Sequence, residues 1–364
     1  MALTIVRPQG MGFNTGRRNL IINGAMQVAQ RGTSSTTNGY GSVDRFQTLY
    51  GGGTITHSQE TLTSDSPYNN GFRNFLRLTV TSAGSNSASD YCYISHRIEA
   101  QNVANSGWQY TSSNSFVSIQ FWVRTSVAGT YYTSLQSNDG TARAFVFPVV
   151  LSANTWTKVT KAIPGDSSTL EFANDTGIGL NIQIRPYVGT NYSDSGVNTN
   201  SWYSRSGSTQ TPDYTQNWQS TGSATFDLTG VQLELGENAS DFEHRSFGEE
   251  LSLCQRYFYR EVDDDGSMFS WVGFADSSTA AYLQHPHPVE MRAEPSMSTT
   301  GTAGDYSLRI GANTVGCSNV PLLSSSTKRV GHVQWRVSSG LTTGQAVVGK
   351  HDDTDKYIDW SAEL

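Results

Sequence analysis

The chain has 364 residues, of which only 15% are charged, with 35 glycines, 8 tryptophans and 17 tyrosines. That charge content is well below the roughly 25% of ordinary globular chains, and the strand- and turn-forming residues suit β-rich surfaces, adhesins and virion parts as well as any β-sandwich. A net charge of −7 argues against coating a nucleic acid, and no apolar run reaches the roughly 18 residues needed to enter a bilayer.

Residues 1–18 read as an arm, with Pro8 and the basic Arg7, Arg17 and Arg18. Such an arm either frays or orders against a partner or a neighbouring subunit. It holds no signal-peptide core, so the chain is expected to be soluble and not to enter a Sec pathway, with cell lysis as the simplest way out. From 19 to 245 the pattern is strand and turn. "NLIINGAMQVAQRG" (19–32) carries the turn dipeptide Asn23-Gly24, which read locally suggests a two-residue hairpin, although "NLII" is short for a hairpin arm. "FLRLTVTS" (75–82) alternates Leu76, Leu78 and Val80 with Phe75, Arg77 and Thr79. "YCYISHRIEA" (91–100) places Cys92, Ile94, His96 and Ile98 on one face, and "FVSIQFWVRT" (116–125) does the same for Val117, Ile119, Phe121 and Val123. Segments 144–151, 156–163, 180–188 and 224–236 continue the pattern, with Pro148 and Pro186 expected at strand ends, edges or bulges. The period of two with turns between predicts an antiparallel β-sandwich. Trp122 and Trp156 are read as core.

The segment 189–223 is long, polar and nearly free of aliphatics, yet carries Tyr192, Trp202, Tyr203, Tyr214 and Trp218. Exposed rings beside amides and hydroxyls are what a pyranose needs, so these five are the candidate glycan contacts; packing between subunits is the competing reading. Trp108 and Tyr110 share that ambiguity. A helix is predicted over 246–262, with Ser246 and Glu249 as a capping box and Phe247, Leu251, Cys254 and Phe258 as its apolar stripe. "DDDG" (263–266) ends it in a turn, and 263–364 reads as a second, smaller β-sandwich domain.

No catalytic signature is present: no nucleophile elbow, no His-Glu-x-x-His, no marked carboxylate pair around Glu234 and Glu237. The chain is expected not to be an enzyme. His285 and His287 read as loop or edge residues, and Asp352, Asp353 and Asp355 as a solvated turn. Cys92, Cys254 and Cys317 are far apart and odd in number, which argues against zinc, a redox motif or a disulfide framework and for reduced thiols.

Several stretches in fixed order carry a resemblance: "NLIINGAMQVAQRG" with "VDRF", then "FLRLTVTS", "YCYISHRIEA", "SIQFWVRTSVAGTYYTSLQ", "ANTWTKVTKAIPGD" and "GVQLELGENASDFEHRSFGEELSLCQRYF". Together they resemble the jelly-roll domain of carbohydrate-binding modules as it recurs in bacteriophage tail-fibre and other virion proteins. "PVEMRAEPSM" and the final "YIDWSAEL" resemble the C-terminal β domain of that group. The resemblance implies a mainly β chain, a jelly roll followed by one linking helix and a smaller β-sandwich. It implies a virion structural protein, a fibre or spike component adhering to a host-surface glycan; the alternative is a capsid or tail decoration protein docking through protein–protein contacts. A homotrimer is implied, joined to other virion proteins through the arm at Arg7, Arg17 and Arg18, assembled in the host cytoplasm and released by lysis. No cofactor is expected. In such modules the stretch 19–32 opens the jelly roll as a strand bent at Asn23-Gly24, and a structural calcium is often held near the first and last strands; here Ala25 and Gln27 stand where carboxylates are common, leaving Asp227 as the acid available.

Overall fold

The computed structural model describes residues 18–166, 170–261, 268–353 and 356–364. It divides into two compact units, with the division after Ser246. Arg7 and Arg17 of the arm and the "DDDG" turn lie outside the described residues.

In the first unit the strands are β1 (Ser34–Ser35), β2 (Gln47–Gly51), β3 (Thr54–Thr61), β4 (Asn74–Ser82), β5 (Tyr91–Glu99) and β6 (Phe116–Thr125). They continue with β7 (Gly129–Ser137), β8 (Arg143–Leu151), β9 (Thr157–Pro164), β10 (Ile178–Val188), β11 (Trp202–Ser204) and β12 (Thr225–Leu235). One six-stranded sheet runs β1-β3-β4-β12-β6-β9 and the other β11-β8-β7-β10-β5-β2. The chain crosses repeatedly from one sheet to the other, and the strands pair antiparallel throughout, which is a jelly roll. The alternation explains the layers. Leu76 and Leu78 of β4, Ile119 and Phe121 of β6, Ile94 and Ile98 of β5, and Leu180 and Ile182 of β10 all turn into one core. Each such side chain contributes on the order of 2 kcal/mol when removed from water. Pro148 lies on β8 beyond the residues that β11 covers, and Pro186 falls at a register shift in β10, so neither breaks a ladder bond.

The stretch 19–32 is no strand. Asn23 and Met26 take positive φ (60 and 58), and the Met26 N–H donates to the Asn23 carbonyl at 2.9 Å, closing a turn. The Asn23 side chain holds that turn by bonding both N–H and carbonyl of Val28. Gly24 is required for a separate reason: a Cβ there would stand 2.0 Å from the Val231 carbonyl oxygen of β12. The first residues instead lie beside β12, with the Leu20 N–H donating to the Leu233 carbonyl at 2.9 Å.

The second unit begins with the helix Phe247–Gln255, shorter than expected. Tyr257, Phe258 and Tyr259 are buried, and Phe258–Glu261 leaves the helix to become strand β13, paired with the last strand of the chain. Consecutive aromatics favour that pleated surface over a helix that would bury only one face. Further strands are β14 (Met268–Ala275), β15 (Ala280–Pro286), β16 (Ser296–Thr299), β17 (Tyr306–Ile310), β18 (Asn313–Gly316), β19 (Leu322–Ser326), β20 (Val330–Arg336), β21 (Ala346–His351) and β22 (Ile358–Ser361). They form a three-stranded sheet, β13-β22-β16, and a seven-stranded sheet, β18-β17-β21-β14-β15-β20-β19, as the smaller β-sandwich.

Its core is aromatic. Trp271, Trp335 and Trp360 are fully buried, and Gly331 is bare because a Cβ there would meet the Trp360 ring at 2.0 Å. His285 and His287 belong to this core rather than to a loop. His285 stacks on Trp360 (centroids 5.3 Å apart, planes at 9°) and lies 4.3 Å from the Trp271 ring. The Tyr259 hydroxyl and His287 Nδ1 are 2.8 Å apart. Asp352 stands by Lys350 at the surface and Asp353 by Lys356, while Asp355 lies outside the described residues. The three cysteines form no disulfide, and burial pushes the Cys92 thiol far above its usual range.

Candidate functional site

The outer face of the first sheet carries the most developed site. Asp227 of β12 lies directly opposite Arg77 of β4 and Arg124 of β6. Its buried carboxylate accepts from Arg77 Nε at 2.8 Å, Arg77 Nη2 at 2.9 Å and Arg124 Nε at 2.9 Å. The paired guanidiniums then lie over rings: Arg77 over Phe75 at 5.1 Å and Arg124 over Trp156 at 4.7 Å. The Asp227 pair raises the Arg77 pKa further above its usual value. This ladder locks β4, β12 and β6 into register and rigidifies the sheet beside it.

Next to the ladder is an open cavity of about 260 Å³. Trp122 of β6 forms one wall, Phe72 and Phe242 another, and Asn70, Gln120, Lys158, Asp241 and His244 supply its polar rim. Phe72, Phe242 and His244 pack edge-on or tilted, with centroids 4.8 to 5.1 Å apart, which fixes their orientation. Gly230, at φ 64, admits Phe72 and Trp122 so close to the strand; a Cβ there would meet Phe72 at 2.7 Å. Gln120 Nε2 donates to the Ser240 carbonyl at 2.6 Å, which aims the amide. The Trp122 indole N–H makes no hydrogen bond among the described residues, and the ring is half-buried. A flat apolar face, a free donor, an aimed amide, an ammonium and one carboxylate are thus gathered in one recess.

Trp122 is the residue the core assignment misplaced. The signal was in the alternation itself: with Val117, Ile119, Phe121 and Val123 turned inward, Trp122 has to face out. Trp156, just before β9, is likewise half-buried on this outer face, edge-on to Phe75 at 5.7 Å.

The loop predicted to hold the glycan contacts folds over the outer face of the second sheet. That face presents polar residues from three strands, including Ser95, Gln136, Ser134, Asn181, Gln183 and Arg185, all buried. They bond one another: Ser95 Oγ to Asn181 Oδ1 at 2.7 Å, Gln136 Nε2 to Gln183 Oε1 at 3.2 Å, and Arg185 Nη1 to Ser134 Oγ at 2.7 Å. Tyr214 is anchored there, its hydroxyl donating to the Arg185 carbonyl at 3.0 Å, and its pKa is raised by burial. Gln216 Nε2 donates to the Pro186 carbonyl at 2.6 Å. Trp218 is 0% exposed in the main core, with its indole N–H on the Thr225 carbonyl, so it offers no ring to a ligand. Trp202 is half-buried, its N–H on the Pro164 carbonyl at 2.7 Å and its ring edge-on to Phe145. Tyr192 packs edge-on to Tyr91 at 5.5 Å. Tyr203 lines a recess of about 230 Å³ together with Asp194, Asn198, Ser204 and Thr209. Trp108 is buried and Tyr110 packs on Phe172 at 4.9 Å. Arg18 is tied to its own unit, with Nη1 on Ser240 Oγ at 2.9 Å and its backbone N–H on Glu243.

A calcium ion does not fit the residues near the first and last strands. Both Asp227 oxygens are taken by guanidiniums, and Ala25, Met26 and Gln27 bring no carboxylate. The carbonyls of Asn19 and Ile21, with the Glu243 carboxylate, converge instead on the buried Arg245 guanidinium at 2.6, 3.0 and 3.1 Å. Among the described residues no three acidic, histidine or cysteine side chains come together.

No family model matches the chain. No curated protein matches it either. Solved structures do. A putative sugar binding protein from Bacteroides thetaiotaomicron is 11% identical, with 60% of this chain covering 100% of that one at a TM-score of 0.33. The family 11 carbohydrate-binding module of a Clostridium thermocellum cellulosomal cellulase is 11% identical, with 58% and 98% covered and a TM-score of 0.28. A cyclase from Fischerella sp. TAU is 9% identical, with 62% and 100% covered and a TM-score of 0.36.

Proposed function

We propose that the first unit is a noncatalytic glycan-binding module in which a pyranose ring stacks on Trp122. The half-buried indole facing an amide- and charge-rimmed recess carries this reading. The apolar face of a sugar covers the ring, while Gln120, Asn70, Lys158, Asp241 and the Trp122 N–H reach its hydroxyls. Asp241 is the one carboxylate among the residues lining the recess, whereas glycoside hydrolysis uses two across the bond. The sequence resemblance adds the setting: a fibre or spike component of a virion, in a trimer that presents several weak sites together and gains avidity from effective concentration.

The test is a glycan array followed by titration calorimetry on the hits with wild type and Trp122→Ala. Loss of the stacking surface is expected to weaken binding about tenfold, the equivalent of roughly 1.4 kcal/mol. Equal affinity of the two proteins overturns the site. Light scattering and immunogold labelling of particles test the setting; a trimer at the tail supports a fibre, and label over the capsid supports the decoration protein instead.

A further inference from the structure

The floor and wall of the Trp122 recess continue past it. β6 and β9 pair Trp122 with Lys158, Gln120 with Thr160 and Ser118 with Ala162, so these positions share the outer face of the sheet. Beyond Gln120 the same two strands floor a second recess, of about 230 Å³. The segment that walls the first recess at Asp241, Phe242 and His244 walls the second at Glu237, Asn238 and Ala239. Ser240 stands between the two and is pinned from below. Its carbonyl accepts from Gln120 Nε2 at 2.6 Å, and the buried Glu234 carboxylate takes its N–H at 2.7 Å and its hydroxyl at 2.6 Å. Both recesses are therefore preformed. From Trp122 to Ser118 the strand advances about 13 Å, further than one pyranose ring reaches.

The second recess has a chemistry of its own. No aromatic ring lines it, so nothing stacks there. Ser118, 1% exposed, lies on its floor between Glu234 and Ala162 of the neighbouring strands, and its Oγ makes no hydrogen bond. A hydroxyl taken out of water without a partner is held at a cost that a ligand acceptor recovers. The methyls of Ala162 and Ala239, the Asn238 amide, the Lys161 ammonium and the Glu237 carboxylate complete the lining. Asn238 and Glu237 are exposed, and neither Lys161 nor Glu237 makes an ion pair among the described residues. A sugar hydroxyl in this recess engages one polar group and leaves the two methyls facing water. An acetamido group matches the lining better, with a carbonyl to accept, an N–H to donate and a methyl to cover the alanines.

We infer that the glycan stacked on Trp122 carries an N-acetylhexosamine further along its chain, with the acetamido group seated in this second recess. The inference rests on the Trp122 reading and names the class of glycan. The acetamido carbonyl accepts from Ser118 Oγ, its N–H donates to the Asn238 amide oxygen, and its methyl lies against Ala162 and Ala239. The floor is a straight strand pair, so the chain is an extended one, linked as in chitin and cellulose.

The experiment is titration calorimetry on the whole chain with chitotetraose and cellotetraose, which differ only in carrying an acetamido or a hydroxyl group on each ring. Chitotetraose is expected to bind about tenfold more tightly, the effect of two well-placed hydrogen bonds and a covered methyl. Ser118→Ala and Asn238→Ala are each expected to cut that preference to about twofold to threefold, since each removes one hydrogen bond, and to leave cellotetraose binding unchanged. Both variants are expected to melt with the wild type, because the Ser118 hydroxyl bonds nothing and Asn238 is exposed. Equal binding of the two tetrasaccharides, binding of neither, or a preference that survives both substitutions overturns the inference and leaves the Trp122 reading to its own variant. Chitotetraose binding that Trp122→Ala does not weaken overturns both, since the acetamido sugar is reached from the stacked one.

Discussion

Acidification from pH 7.5 to pH 4.5 is expected to destabilise the second unit. His285 and His287 are 7% and 9% exposed in its aromatic core, and burial lowers their pKa values from 6.5 to about 3 and about 4. A folded-state pKa below the unfolded one means that the unfolded chain takes up the proton first. The stability held by the neutral rings is therefore complete above pH 6.5 and drains away as pH falls towards the folded values. Each pH unit in that window costs about 1.4 kcal/mol per ring, so at pH 4.5 the two rings together cost about 5 kcal/mol. A domain of this size has a total stability on the order of 5–15 kcal/mol. Glu261 opposes the effect: its Oε2 lies 3.4 Å from His285 Nδ1 and favours the imidazolium. The ring nevertheless makes no hydrogen bond, and both its faces are covered by Trp360, Trp271 and Tyr259, so desolvation dominates. The assay is urea unfolding followed by tryptophan fluorescence at pH 7.5, 5.5 and 4.5, with His285→Phe as comparison. The variant keeps the stack and removes one titrating ring, so its loss between pH 7.5 and 4.5 should be smaller by about 3 kcal/mol. A wild-type transition that holds or strengthens on acidification would mean that Glu261 wins and would refute the reasoning.

Asp227→Asn removes the charge that two guanidiniums share and is expected to destabilise the first unit by about 2 kcal/mol; the cost is kept below that of a fully buried pair because Arg77 and Arg124 are 30% and 23% exposed and water screens them. Denaturant unfolding measures it, and a change under 0.5 kcal/mol would show that the ladder adds nothing net. Gly24→Ala drives a Cβ onto a main-chain oxygen of β12 that cannot rotate away, with an expected cost of about 2–3 kcal/mol and a lowered melting temperature. An unshifted melt would show that the turn moves freely on the sheet.

Where burial has period two, the sequence told the fold directly. β4, β5, β6, β10 and β12 follow the predicted runs closely, because each buries one face against the same core. β2, β3 and β7 were not picked out: their stretches mix Thr, Ser and Gln into inward positions, so no apolar stripe marks them. The helix was drawn too long because Phe258 continues a 3.6-residue stripe by coincidence, while the partner that claims it, β22, is about 100 residues away. In the 189–223 segment, composition marks the rings but not what each one packs against. Trp218 and Tyr214 are anchors, and the buried polar layer was invisible because Asn181, Gln183 and Arg185 alternate like an ordinary wet face. Only the covering loop, a nonlocal event, makes them an interior.

That covering has a consequence for which residues can change. The outer layer of the second sheet is read chemically as surface, yet it is closed like a core and held by directional bonds. An apolar core absorbs an exchange of Leu for Ile by small repacking. A layer of this kind has no such latitude: taking away the Ser134 hydroxyl leaves Arg185 Nη1 and the Gln136 amide each short of an acceptor, at about 1–3 kcal/mol for each buried group left bare. Drift should therefore be slow at Ser134, Gln136, Gln183 and Gln210 and fast on the loop's solvent side. The loop can vary what it displays only while it keeps the length and the anchors that seal the sheet beneath it.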